Sequence, residues 1–131
     1  MLTVLALVCM TQFGTCEQTK VNIIDGDSIS INGKQFRLIG IDAPEIFGKC
    51  EEESALAQEA KKHLMYLIDR RAIALVTHHD DKYGRTLTSV KVNRDKNKDG
   101  REDDVGSRMM EQGLARKWTK TWDGNKTPWC L

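Results

Sequence analysis

IIDGDSISINGKQFRLIGIDAPE, from Ile23 to Glu45, is the stretch from which the rest of the chain is read. Ile29 and Ile31 alternate with serines, and Asn32-Gly33 is the dipeptide favoured in two-residue hairpin turns. Phe36-Arg37-Leu38-Ile39 then opens a second strand, which Asp42-Ala43-Pro44-Glu45 ends because proline cannot continue a ladder. Closing the hairpin brings Asp27, from the Asp25-Gly26-Asp27 turn, close to Asp42, with Arg37 on the connecting strand. Like carboxylates held together repel unless a cation lies between them, and their oxygens suit a hard ion such as calcium or magnesium. Asp and Gly also populate turns for backbone reasons alone, so either turn taken singly needs no further explanation. The two turns together, with an arginine between them, read as half of a metal-dependent site.

Outward from the hairpin, Val21 to Ile24 is a short strand entering the first turn. From Glu51 to Arg71 the apolar period becomes helical, with Ala55, Leu56, Ala60, Leu64, Leu67 and Ile68 on one face. Glu51, Glu52 and Glu53 at the start and Arg70-Arg71 at the end match the helix dipole, so the acidic run reads as helix-end chemistry. Ile73 to Thr77 is a β-branched strand running into His78-His79. No third ligand stands at useful spacing, so these histidines read as an exposed strand end. Asp80-Asp81-Lys82-Tyr83-Gly84-Arg85 is a turn, Thr86 to Val92 a further alternating strand, and Val105 to Gln112 a short helix closed by Gly113. Leu114-Ala115 begins a last strand or extension. Short strands interrupted by one helix predict an α+β fold, a small OB-type barrel of about five strands carrying a long and a short helix.

The bulk properties are compatible with this but do not choose a function. The chain has 131 residues, room for one domain, and 40% hydrophobic with 30% charged residues is ordinary for a globular protein. A net charge of +1 gives no global argument for a nucleic-acid partner, so any such binding must come from local cations and a metal. Leu2 to Met10 is an apolar run broken only by Thr3, too short to span a bilayer but suited to a secretory signal. Its basic flank is missing, since the first cation is Lys20, and a buried N-terminal strand is the alternative. The reading taken is a signal or anchor segment over 1–19 and one domain over 20–131. It implies a secreted, periplasmic or cell-surface protein; lipidation at Cys16 is the alternative, although Phe13-Gly14-Thr15 departs from a lipoprotein box. Cys9 would leave with the signal. Cys50 and Cys130 are then the candidate disulfide, closing a long loop worth ~4 kcal/mol by chain entropy, against the alternative of two buried thiols.

The runs IDGDS, FRLIGIDAPE and DKYGR, in this order with a helix between the second and third, resemble the staphylococcal (micrococcal) nuclease or thermonuclease family. The resemblance covers roughly Val21 to Trp118. It implies an OB-fold enzyme that cleaves DNA and RNA, single-stranded or locally open, with calcium as cofactor and 3′-phosphate ends as products. On the matching positions it makes Asp27 and Asp42 calcium ligands, joined by the backbone carbonyl of Ala43. It makes Arg37 and Arg85 the arginines on the scissile phosphate, Glu45 the residue that orients or deprotonates the attacking water, and Lys82 and Tyr83 the lining of the nucleotide pocket. A monomer with no protein partner is expected. The residue types suit the chemistry independently: phosphodiester hydrolysis builds negative charge that guanidiniums and a divalent ion stabilise, and a carboxylate beside the metal can aim a water.

The chain also departs from the family. Ser28 and Ala43 replace the usual threonines, and the tail after Trp118 carries Trp122 and Trp129 among cations where the family has a long helix. Trp118 or Trp122 is a candidate for base stacking, worth ~1–3 kcal/mol per base, with packing at the barrel mouth as the alternative. Asp95-x-Asn97-x-Asp99-Gly100-x-x-Asp103 follows the start of a calcium loop without its closing glutamate; a solvated hairpin tip is the alternative. Two other functions stay open. A catalytically inactive barrel that only binds nucleic acid or peptide would not need the complete set of Asp27, Arg37, Asp42, Glu45 and Arg85. A calcium-stabilised structural module leaves the two arginines unexplained.

Overall fold

The computed structural model describes residues 2–10, 14–92, 103–118 and 129–130. In chain order the elements are β1 (Leu2–Met10), β2 (Thr15–Asp25), β3 (Ser28–Ile31), β4 (Lys34–Leu38), β5 (Ile41–Asp42), α1 (Glu51–Ile68), β6 (Ala72–Asp80), β7 (Thr86–Val92), β8 (Asp103–Asp104), α2 (Val105–Glu111) and β9 (Arg116–Lys117). The sheet runs β4-β3-β2-β1-β6-β7, and β7 pairs in parallel with β4, closing a barrel of six strands. β8 extends the sheet beyond β7, while β9 pairs separately with β5. No described helix is long and apolar enough to cross a membrane.

The hairpin forms as its sequence dictates. Asn32 and Gly33 take positive φ of 52° and 82°, the twist that lets a two-residue turn join β3 to β4. Phe36 and Leu38 face inward, so Gln35 and Arg37 face outward on the same strand. Gly26 has a different task. A Cβ there would lie 2.7 Å from the Ala60 Cβ and 3.0 Å from the Ala43 Cβ, so only glycine lets the acidic turn sit against both α1 and the end of β5.

The barrel has one strand more than the expected five, and it is the apolar N-terminal run. Leu2–Met10 lies between β2 and β6, antiparallel to the first from Leu2↔Ile23 to Met10↔Thr15 and parallel to the second from Leu7↔Ala72 to Met10↔Leu75. Val4, Ala6 and Val8 enter the core while Leu5 is 55% exposed, so a run that reads as continuous is buried in alternation. The domain boundary drawn at 19/20 falls inside β2. Cys9 is bonded to Cys16 across the β1–β2 pair, and Cys50 to Cys130 as the sequence suggested, so Cys16 is neither a free thiol nor a free lipid acceptor.

α1 ends at Ile68, three residues before Arg71, with Asp69 as its cap. Its buried stripe is Glu53, Ala57, Ala60, Leu64, Leu67 and Ile68. Ala57 therefore takes the place expected for Ala55, which is exposed, and Leu56 is only half-buried. Carrying the 3.6-residue period back from Leu64 gives Ala60, Ala57 and Glu53, so a carboxylate shares the apolar face. In α2, the N–H groups of Gly113 and Leu114 close on Met110 and Met109, and the chain then turns into β9.

Candidate functional site

Two strands and two turns bring the first half of the site together. Asp27 leaves the acidic turn nearly buried. Its Oδ1 accepts the Ser28 hydroxyl at 3.0 Å, and its Oδ2 accepts the backbone N–H of Ala43 at 3.0 Å. Through that second bond the end of β5 is tied to the turn before β3. Arg37, outward on β4, places one terminal guanidinium nitrogen 3.5 Å from Asp27 Oδ2 and 3.6 Å from Asp42 Oδ1, and the other 3.1 Å from the Leu38 carbonyl. Asp27, Arg37 and Asp42 thus meet as the hairpin predicted, and Ala43, named through the family resemblance, joins them by its N–H.

The electrostatics of this cluster are those of crowded acids. Burial pushes the Asp42 carboxyl up to about 6, the charge of Asp27 adds to this, and Arg37 opposes it. Asp25 was not singled out from sequence, yet its Oδ1 accepts the Asp27 N–H at 3.2 Å. Burial and then Asp27 raise its carboxyl well above the usual carboxylate range. The three carboxylates gathered around the Arg37 guanidinium form an oxygen-donor set that a hard divalent cation would relieve. The sequence signal for Asp25 is the Asp-Gly-Asp run itself.

Glu45 follows Pro44 into solvent, and its backbone is held by Glu53. Glu53 Oε2 accepts the Glu45 N–H at 3.0 Å and Oε1 accepts the Lys49 N–H at 3.1 Å, so one buried carboxylate fixes both ends of the 45–49 loop. Its own N–H donates to the sulfur of Cys50, the N-cap of α1, at 3.4 Å. The first helical turn had been read as dipole chemistry; Glu53 instead positions the loop that carries Glu45.

Across the barrel closure, Arg85 precedes β7, which pairs with β4 in the register Phe36↔Thr86 and Arg37↔Leu87. Asp81 organises its turn, accepting the backbone N–H groups of Tyr83 and Arg85, each at 2.9 Å, and the Arg85 Nε at 2.9 Å. Desolvation works against its charged form, but the N–H groups of Arg85 and Tyr83 and the Arg85 guanidinium hold its carboxyl below the usual value. Asp81 was read only as a turn residue. An Asp four positions before an Arg, with Gly between, was the available signal. Lys82 and Tyr83 are exposed beside it, with the Lys82 ammonium 5.1 Å and the Arg85 guanidinium 5.5 Å from the Tyr83 ring centre.

The tail returns to the same place. β9 sets Arg116 opposite Asp42 and Lys117 opposite Ile41, and the Trp118 N–H donates to the Gly40 carbonyl at 3.0 Å, leaving the indole 45% exposed. Arg116 adds a positive charge that lowers Asp42, a contribution not foreseen from sequence. Trp122, Asp95, Asn97 and Asp99 lie outside the described residues. Asp103 is described, in β8, and its Oδ1 accepts the Arg108 guanidinium at 3.1 Å. His78 and His79 are exposed at the end of β6, as expected.

The fold and site define an OB-type barrel with acids and arginines gathered on one outer flank. Among known proteins, the family model described as "Staphylococcal nuclease homologue" matches residues 35–128, and the chain belongs to that family. The chain is 33% identical over 100 residues to "Protein ParB" of Escherichia coli, covering 72% of this chain and 53% of that protein. It is 38% identical over 89 residues to "Probable endonuclease lcl3" of Aspergillus clavatus, 66% of this chain and 30% of the relative. It is 35% identical over 95 residues to "Probable endonuclease LCL3" of Phaeosphaeria nodorum, 71% and 31% respectively. The chain therefore spans about half the length of the first and under a third of the two fungal proteins.

Proposed function

We propose that this protein is a calcium-dependent endonuclease that hydrolyses DNA and RNA to 3′-phosphate ends. The observation that carries the reading is the meeting of Asp27, Asp42 and Arg37 on one flank of the barrel, with Glu45 three residues further on a clamped loop. Membership of the nuclease family and relatives named as endonucleases support it.

Asp27, Asp42 and the Ala43 carbonyl would hold the calcium, with Asp25 behind them, because hard oxygen donors match that ion. When bound it supplies Lewis-acid stabilisation of the phosphoryl oxygens and neutralises the crowded acids. Arg37, whose nearest anions are those acids, then turns its guanidinium to the substrate phosphate. Arg85 keeps its Nε on Asp81 and presents its two terminal nitrogens to another oxygen of the same phosphate, a paired geometry that lysine cannot reproduce. Glu45 takes a proton from, or aims, a water that attacks phosphorus in line with the 5′ oxygen. The P–O5′ bond breaks, the leaving oxygen departs as a 5′-hydroxyl after taking up a proton, and the phosphate stays on the 3′ carbon. Lys82 and Tyr83 flank the strand, and Trp118 offers a stacking face near Asp42.

Export belongs to the same reading and rests on the cysteines. All four are paired, as in proteins of oxidising compartments. Leu2–Met10 stays with the folded chain here, because Val4, Ala6 and Val8 fill the core and Cys9 is tied to Cys16. End-group analysis tests the chemistry. Products that accept 5′-phosphorylation directly and carry a 3′-phosphate agree with cleavage at P–O5′; products with 5′-phosphates would sink this mechanism.

A further inference from the structure

The bridge that anchors the tail lies against a third metal-ligating side chain. Cys50 Sγ, Cys130 Sγ and a carboxylate oxygen of Glu53 all lie within 4.8 Å of one another. Cys50 is the N-cap of α1, and its sulfur accepts the Glu53 N–H at 3.4 Å, so the helix start favours negative charge on that sulfur. Glu53 is buried and held from both sides. Its two oxygens accept the Glu45 and Lys49 N–H groups, and a Cβ on Gly48 would come within 2.6 Å of its Cγ. The loop thus keeps the carboxylate beside the two sulfurs.

In the closed bridge both sulfurs are neutral, and the carboxylate meets no like charge from them. Reduction changes that. Two thiolates beside a buried carboxylate repel, and the repulsion is relieved by protons or by a cation. The donors select the cation: two thiolates with one carboxylate suit zinc, whereas calcium takes oxygen ligands. Three protein ligands leave the fourth tetrahedral position to water. The Cα atoms are 5.9 Å apart, so side-chain rotation is enough to open the sulfurs to the ~3.8 Å spacing of a tetrahedral zinc.

We propose that Cys50, Cys130 and Glu53 form a zinc site when the bridge is reduced, so that a metal takes over the anchoring of the tail. The reductant is a dithiol. Its thiolate attacks Cys130 Sγ, the S–S bond breaks, and Cys50 leaves as the thiolate that the Glu53 N–H stabilises. The second thiol of the reductant then displaces Cys130 and closes the reductant's own disulfide. Two electrons and two protons have passed from the dithiol to the two cysteines, and zinc sends those protons to solvent on binding. The site uses none of the acids around Arg37 and does not depend on the nuclease reading. It shares Glu53 with the 45–49 loop.

The test is zinc uptake by the full chain, measured by competition with a zinc-selective chromophoric chelator, with calcium added to occupy the oxygen-donor cluster. Cobalt is titrated beside zinc, because its absorption reports thiolate ligands. Cys9→Ser/Cys16→Ser removes the other cysteine pair. In that background the reduced chain should take up one zinc and show cobalt–thiolate absorption, and the oxidised chain should do neither. Adding Cys130→Ser should remove the binding, and adding Glu53→Gln should weaken it roughly tenfold or more. The melting temperature of the reduced chain should rise with zinc, since a ligand of the folded state stabilises that state. If the double variant does not fold, the comparison is made in reduced wild type, where Cys130→Ser should lower the uptake by one zinc per chain. Binding that survives Cys130→Ser, or that Glu53→Gln leaves unchanged, would overturn the site. So would zinc uptake with no rise in melting temperature, which is the behaviour of thiols on an unfolded chain.

Discussion

Asp42 shows how a single residue reports the state of the whole cluster. Its folded value of about 6 lies above the 3.8 of an ordinary aspartate, first through burial and then through Asp27. Between those values the metal-free fold holds a proton that the unfolded chain has released. The stability of metal-free protein should therefore fall as pH rises from about 4 to about 6. Asp25, also raised, carries the decline further. Calcium affinity should run the other way, increasing over the same window, because the ion must displace that proton. Thermal melts in EGTA and calorimetric titrations across pH 4–7 check both signs. In Asp42→Asn the decline between pH 4 and 6 should flatten and calcium affinity should drop; an unchanged slope would show that Asp42 is not the group responsible. The residue types of the cluster were legible because turn chemistry is local: Asp-Gly-Asp, Asn-Gly and Ala-Pro fix where the acids go. Their crowding was only half legible, since Asp25 and Arg116 join through packing against α1 and through the β5–β9 pairing.

At the scale of elements, the N-terminal turn of α1 and the 45–49 loop form one unit through Glu53. Glu53→Ala leaves the Glu45 and Lys49 N–H groups without this acceptor, which should cost ~1–3 kcal/mol in urea melts. Because the loop carries Glu45, kcat should fall at least tenfold, a change of ~1.4 kcal/mol in the barrier, while KM moves little. Glu53→Gln, which keeps one carbonyl oxygen as acceptor, should recover part of kcat. A stability loss with unchanged kcat would leave Glu53 as a purely structural residue. The sequence concealed this role for a physical reason. Three successive glutamates at a helix start satisfy the dipole whichever way each one faces, and only the exact phase of the stripe, Ala57 rather than Ala55, turns Glu53 inward. β1 was ambiguous for a similar reason. Nine mostly apolar residues suit an export signal or a buried strand equally well, and the parallel partner that makes them a strand lies more than sixty residues away.

For the whole molecule, one feature beyond the barrel bears on the candidate site. The Cys50–Cys130 bridge joins residues 80 apart and anchors the end of the tail at the N-cap of α1, beside Glu53. Cys130→Ser should lower stability by ~4 kcal/mol if loop-closure entropy is the main contribution. It should also reduce activity through the loosened 45–49 loop. Denaturant melts and cleavage rates of the two forms check this, and equal stability would show that the bridge constrains nothing the fold lacks. The six-strand closure sets Arg37 on β4 opposite Leu87, two residues along β7 from Arg85, and the whole account depends on these arginines reaching one phosphate beside the acids. The most direct measurement is hydrolysis of single-stranded DNA and of RNA by wild type and Glu45→Gln, first in calcium and then in EGTA. The account predicts cleavage by wild type in calcium, none in EGTA, and a loss of roughly 10²–10⁴-fold in the variant. Folded wild type that cleaves neither polymer in calcium, or a variant as fast as wild type, would contradict it.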